Sequence, residues 1–131
     1  MSREHVALVQ RANEAMWRGD VEALMGMCTD DVLLLPARSA LTGGYSGAAG
    51  LRKFFADNAE TFELFTTTWD ETYDAGEQVV MIGHVTARPL GGGPETTVPA
   101  AMVVTVEDGK ISRVEDLRHR SAALASVGLP A

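Results

Sequence analysis

Few side chains in this sequence are of types that make or break bonds, and they are scattered: Asp116 and Arg118 near the C-terminus, His84 and Arg88 mid-chain, Tyr45 in a glycine-rich stretch. A carboxylate beside an imidazole makes an acid/base couple, in which one group takes a proton and the other orients or relays it. A guanidinium fork holds a carboxylate or stabilises a developing oxyanion. Asp116 and Arg118 fall within "GKISRVEDLRHR", residues 109–120, which follows a polar turn and reads as a last β-strand. A half-buried strand should show one clean apolar set, and this one does not. One side carries Val114, Asp116 and Arg118, and the other Ile111, Arg113, Glu115, Leu117 and His119. The question is which side is inside, and why a buried side would carry an acid and a guanidinium.

Each candidate also has a plainer reading. Asp116 can form a positioning ion pair with Arg118 or Arg88, and arginines near strand ends usually lie in solvent. A histidine among Val79, Val80, Met81, Ile82 and Val85 is more often a satisfied core residue. Tyr45, between glycines in "GGYSG", can pack on the helix that follows instead of aiming into a cavity mouth, and Trp17 and Trp69 suit core or interface positions. His5, His84 and His119 have no metal-ligand spacing, and no cysteine or carboxylate cluster completes a site, so no metal or other cofactor is expected. "GGGPET" lacks the lysine and the following helix of a phosphate loop, and there is no "GxSxG" elbow. The single cysteine, Cys28, falls on an apolar helical stripe and is predicted to be a reduced core residue.

The elements that must position these groups fit one domain over residues 1–131, a length that buries roughly two thirds of the unfolded chain's surface. With 11 basic against 18 acidic side chains, the net charge of −7 repels phosphate backbones and anionic lipid, so neither nucleic acid nor a membrane is expected as partner. The N-terminus is charged throughout, without an apolar signal core, and points to a cytoplasmic protein. Ser2 can cap a helix over about 3–18, ended by Gly19. Asp20 caps a second, in which Val21, Leu24, Met25 and Cys28 share a face and "TDD" closes the element. Val32–Leu35 is a β-run stopped by Pro36, and "LTGGYSG" is a loop or short strand. From Ala48 to about Glu60 the helical period returns, with Leu51, Phe54 and Phe55 on one side. Three period-two runs follow at about 62–73, 77–88 and 96–106, joined by "DAGE", "PLGGGPE" and "EDGK" as hairpin connections. Helices followed by a run of antiparallel strands predict an α+β domain.

That order, with "W-x-G-D-x-x-A-L" at Trp17–Leu24, "DDV" at Asp30–Val32, "DGKI" at Asp108–Ile111 and "ALASVGL" after the last strand, resembles the nuclear transport factor 2-like superfamily, and more narrowly its SnoaL-like, polyketide cyclase-like branch. The resemblance covers essentially the whole chain. It implies a cone-shaped, curved antiparallel or mixed sheet wrapped around three N-terminal helices and enclosing a cavity, and a homodimer formed through the outer face of the sheet. Set in register with the ketosteroid isomerase branch, it turns Val114, Asp116 and Arg118 inward, together with Ile82, His84 and Thr86 and with Ala101, Val103 and Thr105.

The same comparison shows departures. The isomerase tyrosine position is Ala12, its general base is Leu35 and its strand carboxylic acid is Ala101, so that machinery is missing. Asp116 matches the last-strand aspartate that SnoaL-type cyclases and the related limonene epoxide hydrolase use as acid/base, while the hydrolase's mid-strand aspartate position holds His84. The resemblance therefore implies a protein binding a small, apolar, oxygen-containing molecule such as a polyketide or terpenoid. Any catalysis would be cofactor-free cyclisation, isomerisation or hydration, with Asp116 and His84 as the acid/base pair. Arg118, Tyr45, Arg88, Trp17, Phe54 and Val103 are the candidate ligand contacts. The alternative is a non-catalytic ligand-binding or dimeric association domain.

Overall fold

Local signals end the first helix and start the second where the sequence places them. In the computed structural model, which describes residues 2–37 and 43–130 (Ser2 by its backbone alone), α1 spans Ser2–Arg18. The expected cap by the Ser2 side chain, and Leu41 and Thr42 of the expected loop, lie outside the described residues. Gly19, at φ +66°, takes the left-handed conformation, so its N–H reaches the Met16 carbonyl at 3.1 Å and the Asp20 N–H reaches Ala15 at 3.0 Å. That pair of bonds is a Schellman close. Asp20 then caps α2 (Val21–Gly26), its carboxylate accepting from the Ala23 N–H at 3.0 Å. This helix is shorter than expected. "TDD" does not close it but lies in β1 (Cys28–Leu35), and Cys28 opens that strand.

β2 is Tyr45–Ser46 and α3 runs from Gly47 to Thr61. The expected meander follows as β3 (Phe62–Ala75), β4 (Gln78–Pro89), β5 (Thr96–Glu107) and β6 (Lys110–Asp116), and the chain closes with α4 (Arg120–Ser126). The sheet order is β2-β1-β6-β5-β4-β3, with β1 and β6 parallel and the other pairs antiparallel. The sheet is mixed, curved and unclosed, as the α+β expectation requires. Its bend is aided by irregularities in β3 and β6, one of them between Trp69 and Glu71 opposite Gly83.

Two cores result, one on each face of the sheet. On the concave side, α1, α2 and α3 bury Leu8, Val9, Ala12, Leu24, Leu51 and Phe54 against Val79, Met81, Val104 and Ile111. On the convex side, α4 sets Ala123 and Leu124 on Val80, Ile82, Ala101 and Val103. Both faces of β4 and β5 are therefore apolar at mid-strand. No helix among the described residues is long and apolar enough to cross a membrane.

Candidate functional site

The concave side holds an open cavity of about 330 Å³ between the helices and the sheet. That is the low end of the range for small-molecule pockets, about 300–1,000 Å³. Its floor is set by strand register. Met81 pairs with Met102, and Met102 with Asp116, so these three form a row across β4, β5 and β6. All three line the cavity, with Val104 and Val114 as the next pair along. The roof is aromatic and aliphatic: Phe54, Phe55 and Leu51 from α3 and Val9, Ala12 and Met16 from α1. Trp17, 46% exposed, also lines the cavity, from the last turn of α1.

Asp116 is the only charged side chain lining the cavity among the described residues. It ends β6, and its Oδ1 accepts from the Ala101 N–H at 3.2 Å and from the Arg118 N–H at 2.8 Å. Its Oδ2 has no hydrogen-bond partner among the described residues. One oxygen thus anchors the carboxylate to the backbone, and the other is left to interact with whatever enters. This settles the inside of the last strand: Val114 and Asp116 line the cavity.

Several expected neighbours are elsewhere. His84 does not face Asp116. The inward residues of β4 are Met81 and Val85, so His84 lies on the opposite face, where its Nδ1 is 3.5 Å from Oδ2 of Asp70, the extra residue of the β3 bulge. The inward residues of β5 are Met102 and Val104, which puts Val103 and Ala101 under α4. The expected register of β4 and β5 is off by one residue, and a one-residue slip turns every side chain to the other face. Arg118 lies beyond the strand, exposed and at φ +68°, and does not line the cavity. Arg88 is held 3.2 Å from Glu63 and 3.7 Å from Glu95. Tyr45 is buried against α3, donating its hydroxyl to Asp57 at 2.7 Å with its ring edge-on to Phe54. Of the expected ligand contacts, Trp17 and Phe54 line the cavity.

The sequence reading missed several polar groups at the cavity, Asn58 and Thr67 among them. Asn13, on the apolar stripe of α1, lines it and donates to the Met81 sulfur at 3.2 Å. A polar residue on an otherwise apolar helix face was the available signal. Cys28 also lines the cavity, and burial pushes its thiol up to about 11, with Lys110 pulling weakly the other way. It is a buried, protonated sulfur at neutral pH and no nucleophile.

The SnoaL-like domain profile matches residues 9–114. No curated protein matches the sequence. Solved structures share the fold at low identity. A nuclear transport factor 2-like protein of unknown function from Burkholderia pseudomallei superposes with a TM-score of 0.78 at 19% identity, covering 95% of this chain and 98% of its own. TerC, co-crystallised with polyporic acid, gives 0.78 at 20% identity over 95% and 98% of the two chains. Rv0760c from Mycobacterium tuberculosis, in complex with estradiol-17β-hemisuccinate, gives 0.73 at 19% identity over 90% and 95%.

Proposed function

The chain belongs to the SnoaL-like domain family, and from that premise we propose that its cavity binds a small, largely apolar molecule carrying a hydroxyl or comparable oxygen function. The observation that carries this reading is Asp116: one charge in an apolar cavity, with Oδ1 tied to two backbone donors and Oδ2 open to a ligand donor. A charge-assisted hydrogen bond of that kind discriminates strongly in a low-dielectric setting. Two neighbours of the fold, TerC and Rv0760c, were crystallised with small molecules, which supports the class of ligand.

Among the described residues lining the cavity, proton transfer falls to Asp116, because His84 faces the other side of the sheet. A carboxylate with one oxygen fixed and one free meets the geometric need of a general base. The reading of the chain as a homodimeric association domain has less support. It calls for an open apolar outer face, and α4 occupies the apolar part of that face. What remains beside it includes His84 with Asp70, and Thr86 hydrogen-bonded to Thr97 at 3.0 Å.

Calorimetric titration with 2-naphthol and its non-donating isostere 2-methylnaphthalene tests the proposal. The hydroxyl compound is expected to bind about 10-fold tighter or better, since a hydrogen bond to a charged group contributes about 1.5–3 kcal/mol. Asp116→Asn keeps an oxygen for the Ala101 and Arg118 donors but replaces the charged open oxygen with a neutral NH₂ group, so the advantage should fall about 5-fold or more, to that of a neutral hydrogen bond, while the fold persists. Absence of binding by both compounds, or an advantage undiminished in Asp116→Asn, would overturn the proposal.

A further inference from the structure

The turn that fixes Asp116 also launches α4. Asp116 Oδ1 accepts from the Arg118 N–H, the Leu117 N–H donates to the Ala101 carbonyl at 2.8 Å, and the His119 N–H to the Leu117 carbonyl at 2.7 Å. His119 is the N-cap of α4. Within these four residues Arg118 sits at φ +68°, a left-handed conformation that is costly for an L-residue and persists only where its surroundings impose it.

Those surroundings are on the far face of the sheet. Leu124 and Ala123 of α4 are fully buried on Val80, Ile82, Ala101 and Val103. Arg120, the first residue of α4, reaches Glu71 with two nitrogens at 3.1–3.2 Å and the Tyr73 hydroxyl at 2.9 Å, and its guanidinium lies 5.9 Å from the Tyr73 ring centre. Tyr73 in turn donates to Glu71. Ala101 belongs to both sides, its side chain under α4 and its N–H on the Asp116 carboxylate.

We propose that α4 is a positioning element for the cavity: its docking, locked by Arg120 on Glu71 and Tyr73, imposes the left-handed Arg118 and so holds the Asp116 carboxylate with Oδ2 toward the ligand. Arg120 and Glu71 are positioning residues, acting on a ligand they do not touch. If α4 lifts, the 117–119 turn relaxes, the Arg118 N–H leaves Oδ1, and the carboxylate is free to rotate. The inference rests on the binding role proposed for Asp116, and it adds a control of that role from the opposite face of the sheet.

The test is the ratio of 2-methylnaphthalene to 2-naphthol dissociation constants in the full chain, for the native protein, Arg120→Gln, and the reversed pair Glu71→Arg with Arg120→Glu. Arg120→Gln is expected to lower the hydroxyl advantage about 2- to 5-fold, the scale of one exposed ion pair, with 2-methylnaphthalene affinity changed less than about 2-fold. The reversed pair should recover part of the advantage. The Arg118 amide resonance should move upfield in Arg120→Gln without ligand, as expected when a carboxylate bond weakens. A role confined to stability would weaken both compounds alike, and that result, or an unchanged ratio and an unmoved amide, overturns the positioning role while leaving Asp116 as the ligand contact. If the native protein shows no hydroxyl advantage, the Asp116 reading fails and the positioning role with it.

Discussion

Gly83 carries a steric demand that can be worked out from the backbone. It sits mid-strand in β4 without a left-handed φ, so it is not a glycine for conformational reasons. The bulge of β3 lies directly over it. A Cβ built at Gly83 would be 1.7 Å from the Thr68 carbonyl oxygen, 2.7 Å from its carbon and 2.9 Å from the Trp69 Cα. All three are backbone atoms, so relief requires opening the β3–β4 pair or moving the bulge. Overpacking typically costs 1–3 kcal/mol, and a clash with fixed backbone belongs at the upper end, about 3 kcal/mol. At roughly 3–4 °C per kcal/mol for a domain of this size, Gly83→Ala should lower Tm by about 10 °C. The chain's other tryptophan, Trp17, can be replaced by Phe, leaving Trp69 as sole tryptophan emitter. Its fluorescence should shift as the indole leaves the cavity wall. Gly26→Ala is the matched control: it closes α2 with nothing within 4 Å of the added carbon, and should be neutral or stabilise by about 0.5 kcal/mol. A Tm loss below about 3 °C for Gly83→Ala, with Trp69 emission unchanged, would refute the reasoning.

Truncating Leu124 to Ala, at a fully buried site under α4, should cost about 2–5 kcal/mol, read as a lower urea midpoint. Removing the α2 cap with Asp20→Ala should cost about 1 kcal/mol by the same assay, with cavity binding retained. Cys28 gives a pH signature. Its folded pKa is raised to about 11 from an ordinary 9.0, so its contribution to stability is full below pH 9 and is lost as pH rises through 11. Relative to Cys28→Ala, the native chain should lose stability across that window, and its thiol should resist labelling at pH 8 until the chain unfolds.

Much of the architecture is written in local sequence. Gly19 and Asp20 mark a helix end and a helix start, because a left-handed close and a carboxylate cap are decided within a few residues. The "DAGE" and "EDGK" turns and the period-two runs between them delimit β3 to β6 to within a few residues. The end of α2 was less legible: Cys28 continues an apolar helical spacing, and only pairing with β6 opposite Ile111 makes it a strand residue. Of the site, the sequence marked Asp116 as an acid out of place in its strand without deciding which side was inside, and the family resemblance turned it inward; Phe54 and Trp17, named as candidate ligand contacts, do line the cavity.

Facing was decided by tertiary structure. A strand shows its inside through alternation, and alternation needs one polar face. In β4 and β5 both faces are apolar at mid-strand, Met81, Met102 and Val104 toward the cavity and Val80, Ile82, Ala101 and Val103 toward α4. The sequence by itself therefore determined that these were strands and where they turned. Whether His84 met Asp116 depended on a helix some 35 residues downstream folding back over the outer face of the sheet, a long-range burial that no local pattern encodes.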